Sequence, residues 1–308
     1  MLAALHTLDA TMPDDRNAAT PSALVITAAG INCDLELAHA FELAGARAES
    51  IHLHQLIEAP AIIDRFDLIG LPGGFSFGDA IAAGRIAAAM MRQSLWEALV
   101  RAVKRGVPII APCNGFQIAV QLGLLPGPEA NERWPDSPPT PSVALAANAS
   151  ARFSDRWCRI EIPSQTRCIW TRGIEPSNDN AVLPIAHGEG RFIAAEVPQI
   201  ARLERGGQIA VRYAADDNPN GSMGDIAGIC DATGLVLGLM PHPERFTSWM
   251  QHPRWTRLER SMIEGATPLG LKMFRNAVAH ARARASAHSG VGRSAGPQVP
   301  RPAMSAHV

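Results

Sequence analysis

No uninterrupted apolar run in this sequence reaches the roughly 20 residues that a membrane-spanning helix needs, so no membrane partner is expected. The opening stretch "MLAALHTLDATMPDDR" lacks a basic region and meets Asp9, Asp14 and Asp15 early, which argues against a secretory signal. An excess of one charge is missing too. Lys and Arg total 28 against 29 Asp and Glu, a formal net charge of -1, so nucleic acid is not expected as a partner. Cysteines number only five (Cys33, Cys113, Cys158, Cys168, Cys230), and none forms a CxxC pair. That spacing suggests neither a zinc site nor a disulfide framework; no metal is expected, and a reduced cytoplasm is the natural location. There is no GK[ST] motif and no internal repeat.

What is present is ordinary for a globular chain: 308 residues, 47% hydrophobic and 19% charged. That length supports a proper core. Residues 1–22 are polar and unpatterned and read as a flexible arm. "ALVITAA" (Ala23–Ala29) then reads as a buried strand, followed by a turn at Gly30–Asp34 and an amphipathic helix that Gly45 closes. "AESIHL" and "DLIGL" are further strands, and a long helix from about Ile81 to Arg105 leads into a strand at Val107–Ala111. Strands that are apolar throughout and alternate with helices imply an α/β fold, a parallel sheet covered on both faces. Pro126–Ser142 is Pro-rich and charged, a surface insertion. The second half offers short strands instead: "RFSDRWCRIEI", "CIWT", "FIAAE", "IAVRYA", "IAGICDA" and "LVLGLM" read as hairpins added to one side of the sheet. A final helix, about Leu269 to Arg284, precedes a basic tail (286–308) that reads as disordered, leaving 23–285 as the folded domain.

Three stretches can carry chemistry. "GVPIIAPCNGFQIAV" sets Cys113 at a strand-to-helix joint. Cysteine is most often a small buried hydrophobe. An elbow, however, lifts one side chain out of the sheet and aims a helix N-terminus at it, which favours the nucleophilic thiolate. A nucleophile needs a base, and "AHGEG" (His187, Glu189) and "PHPER" (His242, Glu244) each offer a His-x-Glu pair. Residues two apart at a strand end share a side, so the carboxylate can fix the imidazole's tautomer. Pro241 and Pro243 stiffen the backbone around His242, which makes it the expected base; His187, among glycines, suits close approach to a ligand. His39, His52 and His54 read as surface or structural residues. "LPGGFSFGD" follows the third strand, where Gly73 and Gly74 can present backbone N–H groups to a developing oxyanion. It lacks G-x-G-x-x-G, so a phosphate loop is not supported. Cys33 also lies near a strand end, but no His-x-Glu pair is matched to it.

The segments "GINCD", "PGGFSFGDAIAAGRIA", "CNGFQ", "NASARF", "HGEGRF", "NPNGS" and "IAGICDATGLVLGLMPHPER" together resemble class I, triad-type glutamine amidotransferases, specifically the glutaminase subunits of phosphoribosylformylglycinamidine synthase. They come in the family's order and span about residues 23 to 250. The resemblance implies a flavodoxin-like, mostly parallel sheet with helices on both faces and added short antiparallel strands. It matches Cys113 to the nucleophile, His242 to the base and Glu244 to the carboxylate orienting that base. Gly73, Gly74 and the Asn114 backbone N–H match the oxyanion hole, and Gln117 a glutamine-contacting position. His187, Gly188 and Glu189 match the loop that closes over the substrate's amino-acid end. It further implies that L-glutamine is the substrate and that ammonia passes to a separate synthetase subunit, with a possible small bridging subunit. ATP and magnesium are then used by that partner, and no cofactor is expected in this chain. One departure stands out: Ala111-Pro112 precedes the nucleophile where the family usually has Gly two residues before it. A silent regulatory subunit and a stand-alone cysteine hydrolase on the same fold are the competing readings.

Overall fold

The computed structural model describes residues 20–176 and 180–291; most of the arm (1–19) and the end of the tail (292–308) lie outside them. The alternation expected in the first half is present: β1 (Ser22–Thr27), α1 (Asp34–Leu43), β2 (Arg47–His52), α2 (Leu53–Glu58), β3 (Leu68–Gly70), α3 (Arg85–Ser94), α4 (Trp96–Lys104), β4 (Ile109–Pro112) and α5 (Asn114–Leu122). The second half holds β5 (Val143–Ala146), β6 (Ser154–Glu161), β7 (Val182–His187), β8 (Arg191–Ala194), α6 (Val197–Arg205), β9 (Ile209–Tyr213), β10 (Ile226–Cys230), β11 (Val236–Leu239), α7 (Arg260–Gly265) and α8 (Leu269–Val291).

Nine strands form one sheet in the order β2-β1-β3-β4-β11-β10-β9-β6-β7, and β5 pairs separately with β8. From β2 to β11 every neighbour is parallel, and from β11 to β7 every neighbour is antiparallel. β11 is the seam. It pairs in parallel with β4 from Val236↔Ile109 to Leu239↔Pro112, so the residues after both strands emerge at one sheet edge. Neighbouring residues of β3 and its exit show the two faces, since successive side chains alternate. A Cβ on Gly70 would fall 2.7 Å from Leu37 of α1, whereas Leu71 lines a small space with Ala87 and Met91 of α3 and Ile118 of α5. The α1 face is completed by α8, where Phe41, Trp170 and Phe274 meet edge to face.

Several boundaries differ from the sequence reading, each for a local reason. The helix expected over 81–105 is two helices. Gly84, at φ +74°, starts α3 where a side chain would strike the Ile118 backbone, and the chain turns again at Leu95. That second turn buries Trp96 against Trp134 of the Pro-rich insertion, ring centroids 5.9 Å apart. The insertion is otherwise largely exposed but fastened, since Arg92 donates to the carbonyls of Pro138 and Pro139 at 3.0 and 3.1 Å. "CIWT" is a turn, not a strand: Thr171 N–H bonds Cys168 O, and Trp170 is buried with its indole N–H on Leu235 O. Its apolar character serves the core without a ladder. Finally, α8 continues to Val291, so residues 286–291, read as tail, are helical. Among the described residues, no helix is long and apolar enough to cross a membrane.

Candidate active site

Cys113 occupies the joint after β4 with φ 50° and ψ −109°, a left-handed conformation that costs a non-glycine residue on the order of 1–3 kcal/mol. The surroundings enforce it. Cys113 N–H donates to Leu239 O at 2.7 Å, while its own carbonyl accepts from Phe116 and Gln117 to open α5. Gly115 is obligatory, because a Cβ there would sit 1.9 Å from Leu71 O. Ala111 and Pro112 form the last two rungs of the parallel ladder with β11, so Ala111-Pro112 before Cys113 still yields a regular elbow. The Cys113 thiol donates to Ala186 O of β7 at 3.6 Å.

His242 leaves the end of β11, anchored by its N–H on Pro184 O at 2.8 Å, and is 2% exposed. Pro243 begins a tight turn that brings Glu244 back onto the ring, with Nδ1 and Oε1 2.6 Å apart. Nδ1 therefore carries its proton toward the carboxylate. Nε2 has no hydrogen-bond partner among the described residues. Burial opposes a charge on this imidazole; the Glu244 carboxylate, then Cys113 and Cys33, outweigh it and hold the His242 pKa well above the ordinary value.

Gly73 separates these groups closely. A Cβ on it would lie 2.8 Å from His242 Cε1, 3.2 Å from Cys33 Sγ and 3.4 Å from Cys113 Cβ. Gly74, at φ +141°, bridges Ile31 and would place a Cβ 2.7 Å from Asn32 N. Asn114 is fully buried: its Oδ1 accepts from Ser76 N–H and its Nδ2 donates to Gln117 Oε1 at 2.9 Å. Gln117 in turn donates from Nε2 to Glu189 O at 2.5 Å. The glycine loop, α5 and the "HGEG" turn are thereby linked into one wall beside the thiol. Gly188 belongs to that turn, its carbonyl accepting from Asn148 N–H.

His187 is buried and not within the Cys113–His242 pairing. Its Nδ1 meets Asn148 Oδ1 at 3.1 Å, and because Asn148 Nδ2 donates to the carbonyls of Arg152 and His187, that Oδ1 accepts. Burial first, then the neighbouring His242 charge, lowers the His187 pKa to about 4. Asn148 also takes Gly190 N–H, while Asn220 donates to Gly190 O and Ser222 caps Phe192 N–H. "NASARF" and "NPNGS" thus hold the "HGEG" turn from beneath, a role the sequence did not assign to them.

Cys33 is the main correction. No histidine is paired with it in sequence, yet its Sγ lies against His242 and Glu244, the three ligand atoms falling within 4.8 Å of one another. Arg245 donates to it at 3.2 Å, and its thiol donates to Asn32 Oδ1. Burial pushes its pKa up despite the imidazole and guanidinium nearby. The available signal was its position in the turn after β1, at the ligand-binding end of parallel strands.

Residues 20–281 match the family model described as "CobB/CobQ-like glutamine amidotransferase domain". The chain is 39% identical over 267 residues to phosphoribosylformylglycinamidine synthase subunit PurQ of Dehalococcoides mccartyi, covering 84% of this chain and 97% of that protein. It is 36% identical over 276 residues to the protein of the same name from Methanococcus maripaludis, with 84% and 97% covered. A chain of the solved structure of PurLQS from Thermotoga maritima aligns with a TM-score of 0.63 at 30% identity, covering 85% of this chain and 99% of that one.

Proposed function

The chain belongs to the CobB/CobQ-like glutamine amidotransferase family and, within it, to the glutaminase subunits of phosphoribosylformylglycinamidine synthase, and on that premise we propose that Cys113, His242 and Glu244 are its hydrolytic triad. The observation that carries the assignment is the strained elbow at Cys113 beside a buried imidazole held at 2.6 Å by a carboxylate. The Cys113 thiolate attacks the side-chain amide carbon of L-glutamine. The oxyanion forms beside Gly73, Gly74 and the Asn114 N–H, the kind of fixed donors that contribute about 2.7–4 kcal/mol each. His242 gives its proton to the departing nitrogen, ammonia leaves, and a thioester remains. Water then loses a proton to His242 and attacks the thioester, expelling the Cys113 thiolate; glutamic acid gives up its proton to the released ammonia, and the thiolate and protonated imidazole are restored. Gln117, His187, Gly188 and Glu189 hold the amino-acid end.

Ammonia passes to the synthetase subunit, which converts formylglycinamide ribonucleotide to its amidine in purine biosynthesis. We assign the ATP- and magnesium-dependent step to that partner, no cofactor to this chain, and the cytoplasm as its location. The test is glutamine hydrolysis measured with and without the synthetase subunit. Slow turnover alone and strong stimulation on docking is the expected result. Full activity alone would favour a stand-alone hydrolase, and none in the complex a silent regulatory subunit.

A further inference from the structure

The proposed oxyanion loop and the proposed base leave the sheet from strands that do not touch: Gly73 and Gly74 follow β3, His242 follows β11, and β4 lies between them. Cys33, from the turn after β1, reaches both. Its N–H donates to the Gly73 carbonyl at 3.3 Å, and Phe75 N–H donates to Gly30 O at 2.8 Å, so the turn runs alongside the loop. The Gly73–Gly74 peptide is trans, and in a planar trans peptide the N–H points opposite to the C=O. Holding the Gly73 carbonyl therefore turns the Gly74 N–H away from the Cys33 turn, where no acceptor among the described residues takes it. A fixed, free N–H is what a developing oxyanion requires. The Cys33 side chain meets the base instead: its sulfur, an imidazole nitrogen of His242 and a carboxylate oxygen of Glu244 lie within 4.8 Å of one another. The sulfur is pinned there. Its one hydrogen goes to Asn32 Oδ1 at 3.3 Å, and it accepts from Arg245 Nη2 at 3.2 Å. Arg245 is held in turn by Glu36 of α1 at 2.9 Å. A chain of contacts from Glu36 through Arg245 and Cys33 to Gly73 thus ties the glycine loop to the segment that carries the base.

We propose that Cys33 is a positioning residue, its sulfur fastened by Arg245 so that its backbone holds the Gly74 N–H in place for the oxyanion. The inference rests on the hydrolytic function proposed above. The test is glutamine hydrolysis by the reconstituted complex carrying Cys33→Ala, Arg245→Met or both, with iodoacetamide labelling of Cys113 followed in parallel by peptide mapping. Alkylation at a saturated carbon forms no oxyanion, so labelling reads the thiolate and its base without the loop. In each single variant kcat should fall by about 10–100-fold, the scale of a displaced catalytic group, with KM and the labelling rate unchanged. Because the two residues touch and act through one link, the double variant should be no worse than the slower single. Cys33→Ser keeps an acceptor for Arg245 and should recover most of the loss. Glu36→Ala, at an exposed position of α1, frees Arg245 without opening the core. It takes the place of either variant that melts at a lower temperature, with a fall in kcat again expected. An unchanged kcat, losses that multiply in the double variant, or labelling that slows with kcat would overturn the inference. A wild-type complex that turns over no glutamine would refute the hydrolytic reading and this inference with it, whereas wild-type turnover with unaltered variants would refute the inference alone.

Discussion

His242 and His187 are both buried, but their environments push them in opposite directions. The carboxylate at 2.6 Å holds a proton on His242, whereas burial strips His187 of one. His242→Ala should therefore lower glutamine kcat by about 10²–10⁴-fold, the usual worth of positioned proton transfer. His187→Ala should chiefly raise KM, since its ring supports the substrate-side turn. Steady-state kinetics on the two variants check this, and the reverse split would exchange their roles. The His187 shift also has a stability consequence. A folded pKa of about 4 against an ordinary 6.5 means that the unfolded chain binds more protons between those values. Stability is thus fully present above about pH 6.5 and falls as pH drops toward 4, by roughly 3 kcal/mol from this residue. His242, with a raised pKa, contributes stability that is present below its unfolded value and lost only as pH rises through its folded one, so it does not mimic the effect. Thermal melts between pH 7 and 4.5 should show a shallower acid loss for His187→Gln than for wild type; parallel curves would contradict the assignment.

The elements explain which parts of the site were legible in the sequence. The elbow was, because an apolar β4, a lone cysteine and the helical spacing of α5 are all local. His242 and Glu244 were, because two prolines and a two-residue spacing define their geometry within one short segment. Cys33 was not: it meets His242 through the stacking of β1 beside β3 and β4, and nothing near residue 33 reports that neighbour. β7 was obscured by Pro184, which is tolerated because the strand is the sheet's edge. The break at Leu95 was hidden because Trp134, which rewards it, lies far along the chain. Motif residues without chemistry were the hardest to assign. Asn148 binds four backbone or side-chain groups around the "HGEG" turn. Asn148→Ala would leave buried polar groups unpaired at about 1–3 kcal/mol each. We expect glutamine KM to rise about tenfold or more with kcat less affected, and limited proteolysis near residue 188 to quicken. An unchanged KM would show that the turn holds itself.

In the molecule as a whole, the parallel half of the sheet positions Cys113 and the glycine loop, the seam at β11 positions His242, and the antiparallel half the "HGEG" turn. Residues as distant as Cys33 and Glu244 thereby share one buried edge. The glutaminase family to which the chain belongs works with a synthetase subunit, so the account is tested on the complex. The most direct measurement is therefore synthesis by the reconstituted complex carrying Cys113→Ala, supplied in turn with glutamine and with ammonium. The account predicts that glutamine-dependent synthesis is lost while ammonia-dependent synthesis continues at the wild-type rate. Glutamine-dependent synthesis surviving at that rate would contradict it.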